Sequence, residues 1–194
     1  MARLAELIKT LPSDRVTSLK LCNTTAKRTV YTAAVTVPGE ISVDDPRRSD
    51  VRALLERHLT FALSSTPPEH SFALDVDGLL DPAITFCGYR ADGELLGVGA
   101  LKRLDAEHAE IKSMHTAVAA RGRGVGRAML NHLLGLARDH GYRRVYLETG
   151  TMIEFEPARA LYASAGFVAC GPFADYRPSE DNFFMTLVLD AVAP

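Results

Sequence analysis

The sequence predicts an α/β domain built on a mixed, mostly antiparallel sheet of six or seven strands, with helices on both faces. Three observations predict this fold class. A glycine-rich turn joins an apolar strand to an amphipathic helix over residues 109–140, and a further strand follows at residues 143–149. This strand–helix–strand order forms a parallel pair through a crossover helix. Tight turns in residues 84–101 and a final strand pair in residues 167–189 add antiparallel hairpins.

Composition places the chain among ordinary globular proteins. Of its 194 residues 47% are hydrophobic, and no apolar run reaches membrane-spanning length. The formal net charge of -2 gives no electrostatic reason to expect a nucleic-acid partner. Cys22, Cys87 and Cys170 are scattered and odd in number, which favours free thiols in a reducing compartment and does not match metal-ligand spacing. We therefore expect a cytoplasmic protein without a membrane, nucleic-acid or metal partner.

The first 39 residues differ from the rest in composition. They are rich in Ser and Thr and carry six basic side chains against two acidic ones. No continuous apolar segment resembles a secretory signal, whereas the pattern faintly resembles an organelle-targeting presequence. The plainer interpretation is a poorly ordered extension with a short helix at 2–11 and a strand at 29–37. We predict an N-terminal extension over residues 1–39 and one domain over residues 40–194.

The first part of that domain is predicted to contain a strand, a helix and an antiparallel meander. Ile41 and Val43 suit a short strand, and Asp45-Pro46 supplies an acid and a proline at a helix start. Pro67 and Pro68 end the helix. Residues 71–82 are ambiguous between a helix and a loop. Strands at 84–89 and 94–101 then flank the hairpin turn 91–93, and a third strand follows. The predicted helix after Asp45-Pro46 carries apolar residues at helical spacing, together with one histidine that suits the core. These residues are Val51, Leu54, Leu55, His58, Leu59 and Ala62.

The second part is predicted to contain the crossover and a final hairpin. The crossover helix ends at His140 and Gly141, and a strand follows at 143–149. A short helix at 157–165 is closed by Gly166. Strands at 167–170 and 183–189 enclose the long loop 171–182. The crossover helix carries its apolar face on Val125, Met129, Leu133, Leu136 and Ala137.

The glycine-rich turn is a candidate phosphate site. In the segment 121–127, three glycines alternate with arginine and valine just where the helix begins. Glycine permits a tight turn and keeps side chains out of a ligand's path. The first amides of a helix lack internal partners, and the helix dipole adds about half a positive charge there. The neighbouring arginines strengthen this field, so the segment suits a phosphate group.

Two common glycine motifs do not match this segment. A Walker loop needs a lysine followed by Ser or Thr, which the segment lacks. A dinucleotide fingerprint, G-x-G-x-x-G, would need glycine at Arg127 or at Met129. Glu148, at the end of the following strand, would suit a ribose hydroxyl. A dinucleotide-binding protein therefore stays open as an alternative.

The segment Arg121-Gly122-Arg123-Gly124-Val125-Gly126 instead resembles the R/Q-x-x-G-x-G/A signature of the GNAT superfamily of acyl-CoA-dependent N-acyltransferases. Downstream, the strand RRVYLET and the segment 161–167, which reads L-Y-x-x-x-G-F, follow the order of that family. Val118 and Phe155 depart from it, since Pro and a cofactor-contacting Asn are common there. The motifs EIKSM, LETG and FADY resemble a bacterial subgroup of small enzymes.

The resemblance covers about residues 40–189 and implies a GNAT-type sheet that is splayed at its central strands. It implies transfer of an acetyl group from acetyl-CoA to a primary amine of a small molecule or peptide, by direct attack, in a monomer or homodimer. Loop amides would hold the cofactor's pyrophosphate, and the backbone of residues 114–118 would pair with its pantetheine arm. The implied cofactor-binding residues are Met114, Thr116, Val118, Arg121, Gly122, Arg123, Gly124, Val125, Gly126 and Arg127.

Tyr162 matches the tyrosine of the family and is the predicted proton donor to the leaving thiolate, since a phenol is neutral at pH 7. An alkyl ammonium titrates near 10.4, so the acceptor also needs a base. Glu110 is the first candidate because related enzymes often place a glutamate there, His115 is its rival and Glu148 is third. Strict strand alternation places Glu110 and Met114 on one face and His115 on the other, unless a bulge resets it.

Other interpretations remain open at this point. Each candidate base also suits a structural role, and Tyr162 also suits a core position. A GNAT fold that binds acyl-CoA without transferring the acyl group, as a sensor or partner subunit, is the competing class of function. His70, Asp75 and Asp77 lie where the family forms its acceptor wall, and they equally suit a solvated loop.

Overall fold

A seven-stranded mixed sheet forms the framework of the protein, and it agrees with the predicted fold class. The computed structural model describes residues 38–65 and 74–189. The strands lie in the order β1-β2-β3-β4-β5-β7-β6. Only the β4–β5 pair is parallel within these residues, and the other neighbours are antiparallel. The strands are Glu40–Val43, Ile84–Ala91, Glu94–Arg103, His108–Thr116, Arg144–Gly150, Val168–Ala169 and Asn182–Val188, numbered β1 to β7.

The predicted meander is formed by β2, β3 and β4. Asp92 and Gly93 form the two-residue turn between β2 and β3, and both have positive φ, at 49° and 84°. This is the backbone that a twisted hairpin with an Asp-Gly turn prefers. Gly88 lies beside Asp44, and a Cβ there would stand 2.4 Å from a carboxylate oxygen of that aspartate. Strand β2 of the meander therefore packs closely against Asp44, which directly follows β1.

Helix α1, Ser49–Ser65, covers one face of the sheet. The prediction that it opens at Asp45-Pro46 is wrong by a few residues, because Asp45 instead binds Arg47 and closes a separate turn before the helix. Arg90 of β2 ties this turn to the helix by donating to Asp44 at 2.8 Å and to Asp50 at 2.5 Å. The hydrogen bond that Asp50 accepts from Arg90 lowers the pKa of the Asp50 carboxyl to about 2. The core on this face comprises Val51, Leu54, Leu55, Leu79, Phe86, Val98 and Ala100.

Helices α2, Val125–Asp139, and α3, Glu156–Ser164, contribute to the core on the opposite face. The predicted end of α2 is confirmed, since Gly141 follows it with φ 77°. Gly166 likewise follows α3 with φ 97°. The predicted final hairpin is also confirmed, with β7 lying between β5 and β6. This core includes Leu101, Ile111, Met129, Leu130, Leu133, Val145, Leu147 and Met185.

Some predictions lie outside the described residues. They are the helix at 2–11, the strand at 29–37, and the end of the first helix at Pro67 and Pro68. The extension over residues 1–39 therefore stays a prediction. In the ambiguous segment, residues Gly78–Leu80 form one turn of 3-10 helix. No helix in the described part of the chain is both long and apolar enough to cross a membrane.

Candidate functional site

The central strands β4 and β5 separate part-way along their length. They pair from His108 with Arg144 to Ile111 with Leu147. Beyond that point β4 continues to Thr116 against β3, while β5 continues to Gly150 against β7. Among the described residues, the separation leaves the β5-facing edge of residues 112–116 without a neighbouring strand. An extended ligand can pair with such an edge, which is the condition that the pantetheine prediction requires.

The glycine-rich turn lies at the end of this edge. After Thr116 the chain makes a 3-10 turn at Val118–Ala120, and Gly122 and Gly124 follow with φ of 72° and 84°. Helix α2 begins after Gly124, and no side chain in residues 38–65 or 74–189 caps it there. Its first amides therefore depend on another acceptor, and they suit an anion. Because a side chain is strained at these two positive-φ positions, the loop is suited to glycine.

The other predicted cofactor residues surround this loop in different environments. Met114 packs against the core on the α2 face, and Thr116 pairs with Gly97 of β3. Val118 is 70% exposed, beside the exposed side chains of Arg121 and Arg123. Val125 is fully buried at the helix start. A Cβ on Gly126 would lie 3.5 Å from both Leu161 and Thr116, which is an ordinary van der Waals contact. Arg127 donates to the Ser164 hydroxyl at 2.5 Å and so links α2 to α3.

A bulge at Ser113 decides which side chains of β4 share a face. Val98 pairs with His115 and Ala100 pairs with Lys112, so one residue of β3 stands opposite two residues of β4. Ser113 has a φ of 52°. This resets the alternation. Glu110 and His115 therefore lie on the α1 face and Met114 on the α2 face, whereas strict alternation had separated Glu110 from His115.

Glu110 lies in a buried polar network on the α1 face. It is only 2% exposed, and its Oε1 accepts hydrogen bonds from Lys112 Nζ at 3.0 Å and from the Tyr176 hydroxyl. Lys112 also donates to the Tyr176 oxygen at 2.6 Å. Tyr176 comes from the loop between β6 and β7, where its ring lies near Phe173 and Phe184. This carboxylate is therefore already paired with a cation and a phenol.

Glu148 is the first residue of β5 beyond the last pair with β4. Its Oε1 accepts a hydrogen bond from Asn182 Nδ2 at 2.6 Å. Burial raises the pKa of Glu148, while the Asn182 hydrogen bond and the charge of Lys112 oppose the rise. A carboxylate with a raised pKa is a stronger base than a solvated one.

His115 is half-buried and faces His58 of α1, with ring centroids 5.0 Å apart. Burial lowers the pKa of His115 to about 4, and the neighbouring His58, Arg121 and Arg57 add to the effect. Burial also lowers the pKa of His58 to about 4. Both imidazoles are therefore neutral at pH 7. His58, which the sequence suits to the core, is half-buried, and its buried Nδ1 has no hydrogen-bond partner within the described residues.

Tyr162 lies on α3 and is 7% exposed, with its ring 5.9 Å from that of Phe167. Burial raises the pKa of its phenol, and the charge of Glu148 adds to the rise. Between β5 and α3, Arg159 donates to the carbonyls of Gly150 and Met152. Phe155, which replaces the family's common Asn, packs so closely that a Cβ on Gly150 would stand 2.4 Å from its ring.

The structure does not bring every predicted residue to this site. His70 lies outside the described residues. Asp75 accepts the amide of Gly78 at 2.8 Å and so belongs to a local turn with Asp77. Sequence reasoning assigned no role to Lys112, Tyr176 and Asn182. The first two lie within the EIKSM and FADY motifs, which were the available signals.

Comparison with known proteins agrees with this geometry. Residues 49–167 match the acetyltransferase (GNAT) family. An N-acetyltransferase of Bacillus subtilis called YsnE is 44% identical over 146 residues, which cover 75% of this chain and 97% of that protein. YedL of Escherichia coli, also named an N-acetyltransferase, is 43% identical over 149 residues, covering 77% and 94%. The chain therefore belongs to the GNAT acetyltransferase family and is an acetyltransferase.

A solved structure shows the same fold with a ligand. The yncA acetyltransferase of Salmonella typhimurium, crystallised with acetyl-CoA, superposes with a TM-score of 0.58 at 20% identity. The match covers 80% of this chain and 96% of that one. At this identity the likeness concerns the fold, including the mixed sheet and its flanking helices.

Proposed function

We propose that the chain transfers the acetyl group of acetyl-CoA to a primary amine of a small molecule or peptide by direct attack. The observation that carries this proposal is the opening between β4 and β5, which has an uncapped helix start at one end and Glu148 at its base. Acetyl-CoA supplies the acyl group as an activated thioester. The amides and arginines of residues 121–127 would hold its phosphates, and the edge of residues 114–118 would hold its pantetheine arm.

Tyr162 is the proposed proton donor to the departing thiolate. A phenol is already protonated at neutral pH, and burial raises the pKa of Tyr162 further, so the protonated form is the one present when the thiolate forms. In the described part of the chain the phenol oxygen has no hydrogen-bond partner. A donor without a competing acceptor can turn toward the reacting group.

The base is proposed from a comparison of three side chains. Glu110 is committed to Lys112 and Tyr176. His115 has a pKa near 4, which makes its neutral imidazole a weak proton acceptor. Glu148 has a raised pKa and a single hydrogen bond from Asn182 among the contacts described above. We therefore assign proton removal from the acceptor ammonium to Glu148, with Glu110 and His115 as the alternatives that the experiment separates.

Thiol release from acetyl-CoA, measured across amines, amino acids and short peptides, tests this function. At least one amine should raise release well above hydrolysis. With that amine, Glu148→Gln should lower kcat/KM by about 10²–10⁴-fold. The loss should shrink at high pH, where more of the amine is already neutral. Glu107→Gln is the matched control, because Glu107 is exposed and pairs with Arg143.

Two other results would change the assignment. A large loss in Glu110→Gln or His115→Gln, with Glu148→Gln near normal, would move the base to that residue. Binding of coenzyme A without amine-dependent release would instead favour the module that binds acyl-CoA without transfer. The cytoplasmic location and the monomeric or homodimeric state belong to the same proposal. Light scattering tests the second, against a chain mass of 21.1 kDa.

A further inference from the structure

Two side chains near the opening between β4 and β5, the buried Lys112 and the half-buried Tyr176, have no part in the proposed chemistry. The side chain of Lys112 is 8% exposed, and its ammonium lies between Glu110 Oε1 at 3.0 Å and the Tyr176 oxygen at 2.6 Å. A lysine is among the residues least often buried, because its charge loses solvation there. Its position next to the opening between β4 and β5 therefore needs an explanation beyond packing.

Tyr176 fixes that ammonium from outside the strand. Its hydroxyl accepts from Lys112 and donates to Glu110, and its ring centroid lies 5.3 Å from Lys112 Nζ. The ring in turn lies 4.8 Å from that of Phe173 and 5.6 Å from that of Phe184. A lysine ammonium normally moves on a flexible four-carbon stem. Here two acceptors and a packed aromatic ring hold it in one position.

The fixed charge and Glu148 lie at the point where β4 and β5 separate. The last pair between these strands, Ile111 and Leu147, belongs to the core on the α2 face, so the next residues, Lys112 and Glu148, both lie on the α1 face. From β4, Lys112 lowers the pKa of Glu148 while Glu110 raises it. From the other neighbouring elements, Asn182 of β7 donates a hydrogen bond, and Tyr162 of α3 and Tyr176 of the loop are neutral phenols whose own pKa values Glu148 raises. The positive charge of Lys112 thus opposes the rise that burial causes in the pKa of Glu148. When Glu110, Lys112 and Glu148 are all ionised, these three side chains together carry one net negative charge.

We propose that Lys112 and Tyr176 are positioning residues, which together hold a positive charge where it keeps Glu148 ionised and ready to accept the acceptor's proton. This inference rests on the proposed function, in which Glu148 is the base. Glu110 has a positioning part in the same device, because its carboxylate anchors the ammonium. None of these three side chains needs to contact the substrate.

The pH profile of kcat/KM tests the proposal, since its acidic limb reports the base of the free enzyme. Lys112→Met should move this limb upward by about 1 pH unit, because a nearby charge shifts a pKa by that order. Glu110→Gln should move it downward, because a negative charge is lost and the ammonium is released toward Glu148. Tyr176→Phe keeps the ring and should move the limb upward by less than Lys112→Met. A purely structural role predicts no opposed shifts.

Two further variants keep the test decisive. Lys112→Met leaves Glu110 buried without its cation, so the double variant K112M/E110Q removes both charges and keeps the shape. Its acidic limb should lie between those of the single variants. Arg143→Gln removes an exposed positive charge that pairs with Glu107 and should leave the limb unchanged. Equal shifts in Lys112→Met and Arg143→Gln would overturn the proposal.

A readout that does not depend on turnover separates this proposal from the proposed function. Carbon-13 NMR of labelled glutamate carboxyls follows the titration of Glu148, and its signal is the one lost in Glu148→Gln. The titration should move upward in Lys112→Met and downward in Glu110→Gln even when no acceptor is turned over. A titration that stays in place would overturn the inference. The expected shifts, with normal turnover in Glu148→Gln, would support the control of Glu148 ionisation by Lys112 and Tyr176 and would overturn the assignment of Glu148 as the base.

Discussion

His58 of α1 and His115 of β4 face each other with their ring centroids 5.0 Å apart, and both are neutral at pH 7. The pair exists because the bulge at Ser113 turns His115 toward α1. Both imidazoles, which lie near Arg57 and Arg121, have lowered pKa values and take up a proton only at acidic pH. We therefore expect acid to destabilise the fold at this contact.

His58→Leu should weaken the loss of stability between pH 7.5 and pH 5. An unfolded histidine takes up a proton below about pH 6.5, whereas folded His58 does so only near pH 4. The stability contributed by the neutral imidazole is thus complete above pH 6.5 and is lost as the pH falls toward 4. At pH 5 one such group costs about 2 kcal/mol. Denaturant titrations of both proteins at the two pH values measure the difference. The same pH dependence in both would exclude His58 as a source of acid sensitivity.

Tyr162→Phe should separate catalysis from packing. Loss of a general acid lowers kcat by about 10²–10⁴-fold, or about 3–5 kcal/mol at 1.36 kcal/mol per decade. The dissociation constant of coenzyme A should change much less, because one lost hydrogen bond costs about 1 kcal/mol. The measurements are kcat, calorimetric binding and the melting temperature of the variant. A structural tyrosine would give the reverse pattern, with weaker binding, lower stability and nearly normal turnover.

Gly126→Val should weaken coenzyme A binding by at least about tenfold, because the added side chain enters the predicted phosphate path. Gly135→Val is the matched control. Gly135 lies in the same helix, and a Cβ there would meet nothing within 4 Å. Both variants replace a helical glycine by valine, Gly126 in the first turn and Gly135 in the interior of the helix. Calorimetry with coenzyme A compares them, and equal affinities would remove the helix start from the binding site.

Arg90→Met should lower the free energy of unfolding by about 2–3 kcal/mol, since it leaves the mostly buried carboxylate of Asp44 with only the longer 3.6 Å ion pair to the exposed Arg48. The side chains of Arg90 and Asp44 are only 20% and 10% exposed. Arg47→Met is the control, because Arg47 and Asp45 form an exposed pair whose attraction is weakened by the surrounding water. Denaturant unfolding of both variants gives the comparison. Similar losses in the two would mean that burial does not strengthen the Arg90 bridge.

Sequence reasoning reached the order of the elements because each carries its own local signal. The Asp-Gly turn, the apolar spacing of α2 and the glycines after α2 and α3 each act within a few residues. The start of α1 was misplaced because Asp45 and Pro46 are equally good residues for a turn. Here Asp45 bonds to Arg47 and completes such a turn.

The arrangement of the candidate site could not be predicted in full from the sequence, because it depends on contacts between residues far apart in the chain. Ser113 adopts a positive φ although it is not glycine, and only the tertiary structure reveals that bulge. Lys112 and Tyr176 are 64 residues apart in sequence and meet through a loop without regular secondary structure. Such contacts are set by the packing of Phe173 and Phe184 around the tyrosine ring. The glycine-rich turn was found from sequence because its conformation is encoded by its own residues.

The four residue pairs between β4 and β5 have a mechanical consequence. The described sheet has two parts, strands β1 to β4 and strands β5 to β7. They are joined by the four residue pairs from His108–Arg144 to Ile111–Leu147, which we call the neck. A strand-like ligand in the opening above that neck would lengthen it and stiffen the molecule. The cofactor would then serve as a removable strand, and amide exchange along the neck would slow whenever it is bound.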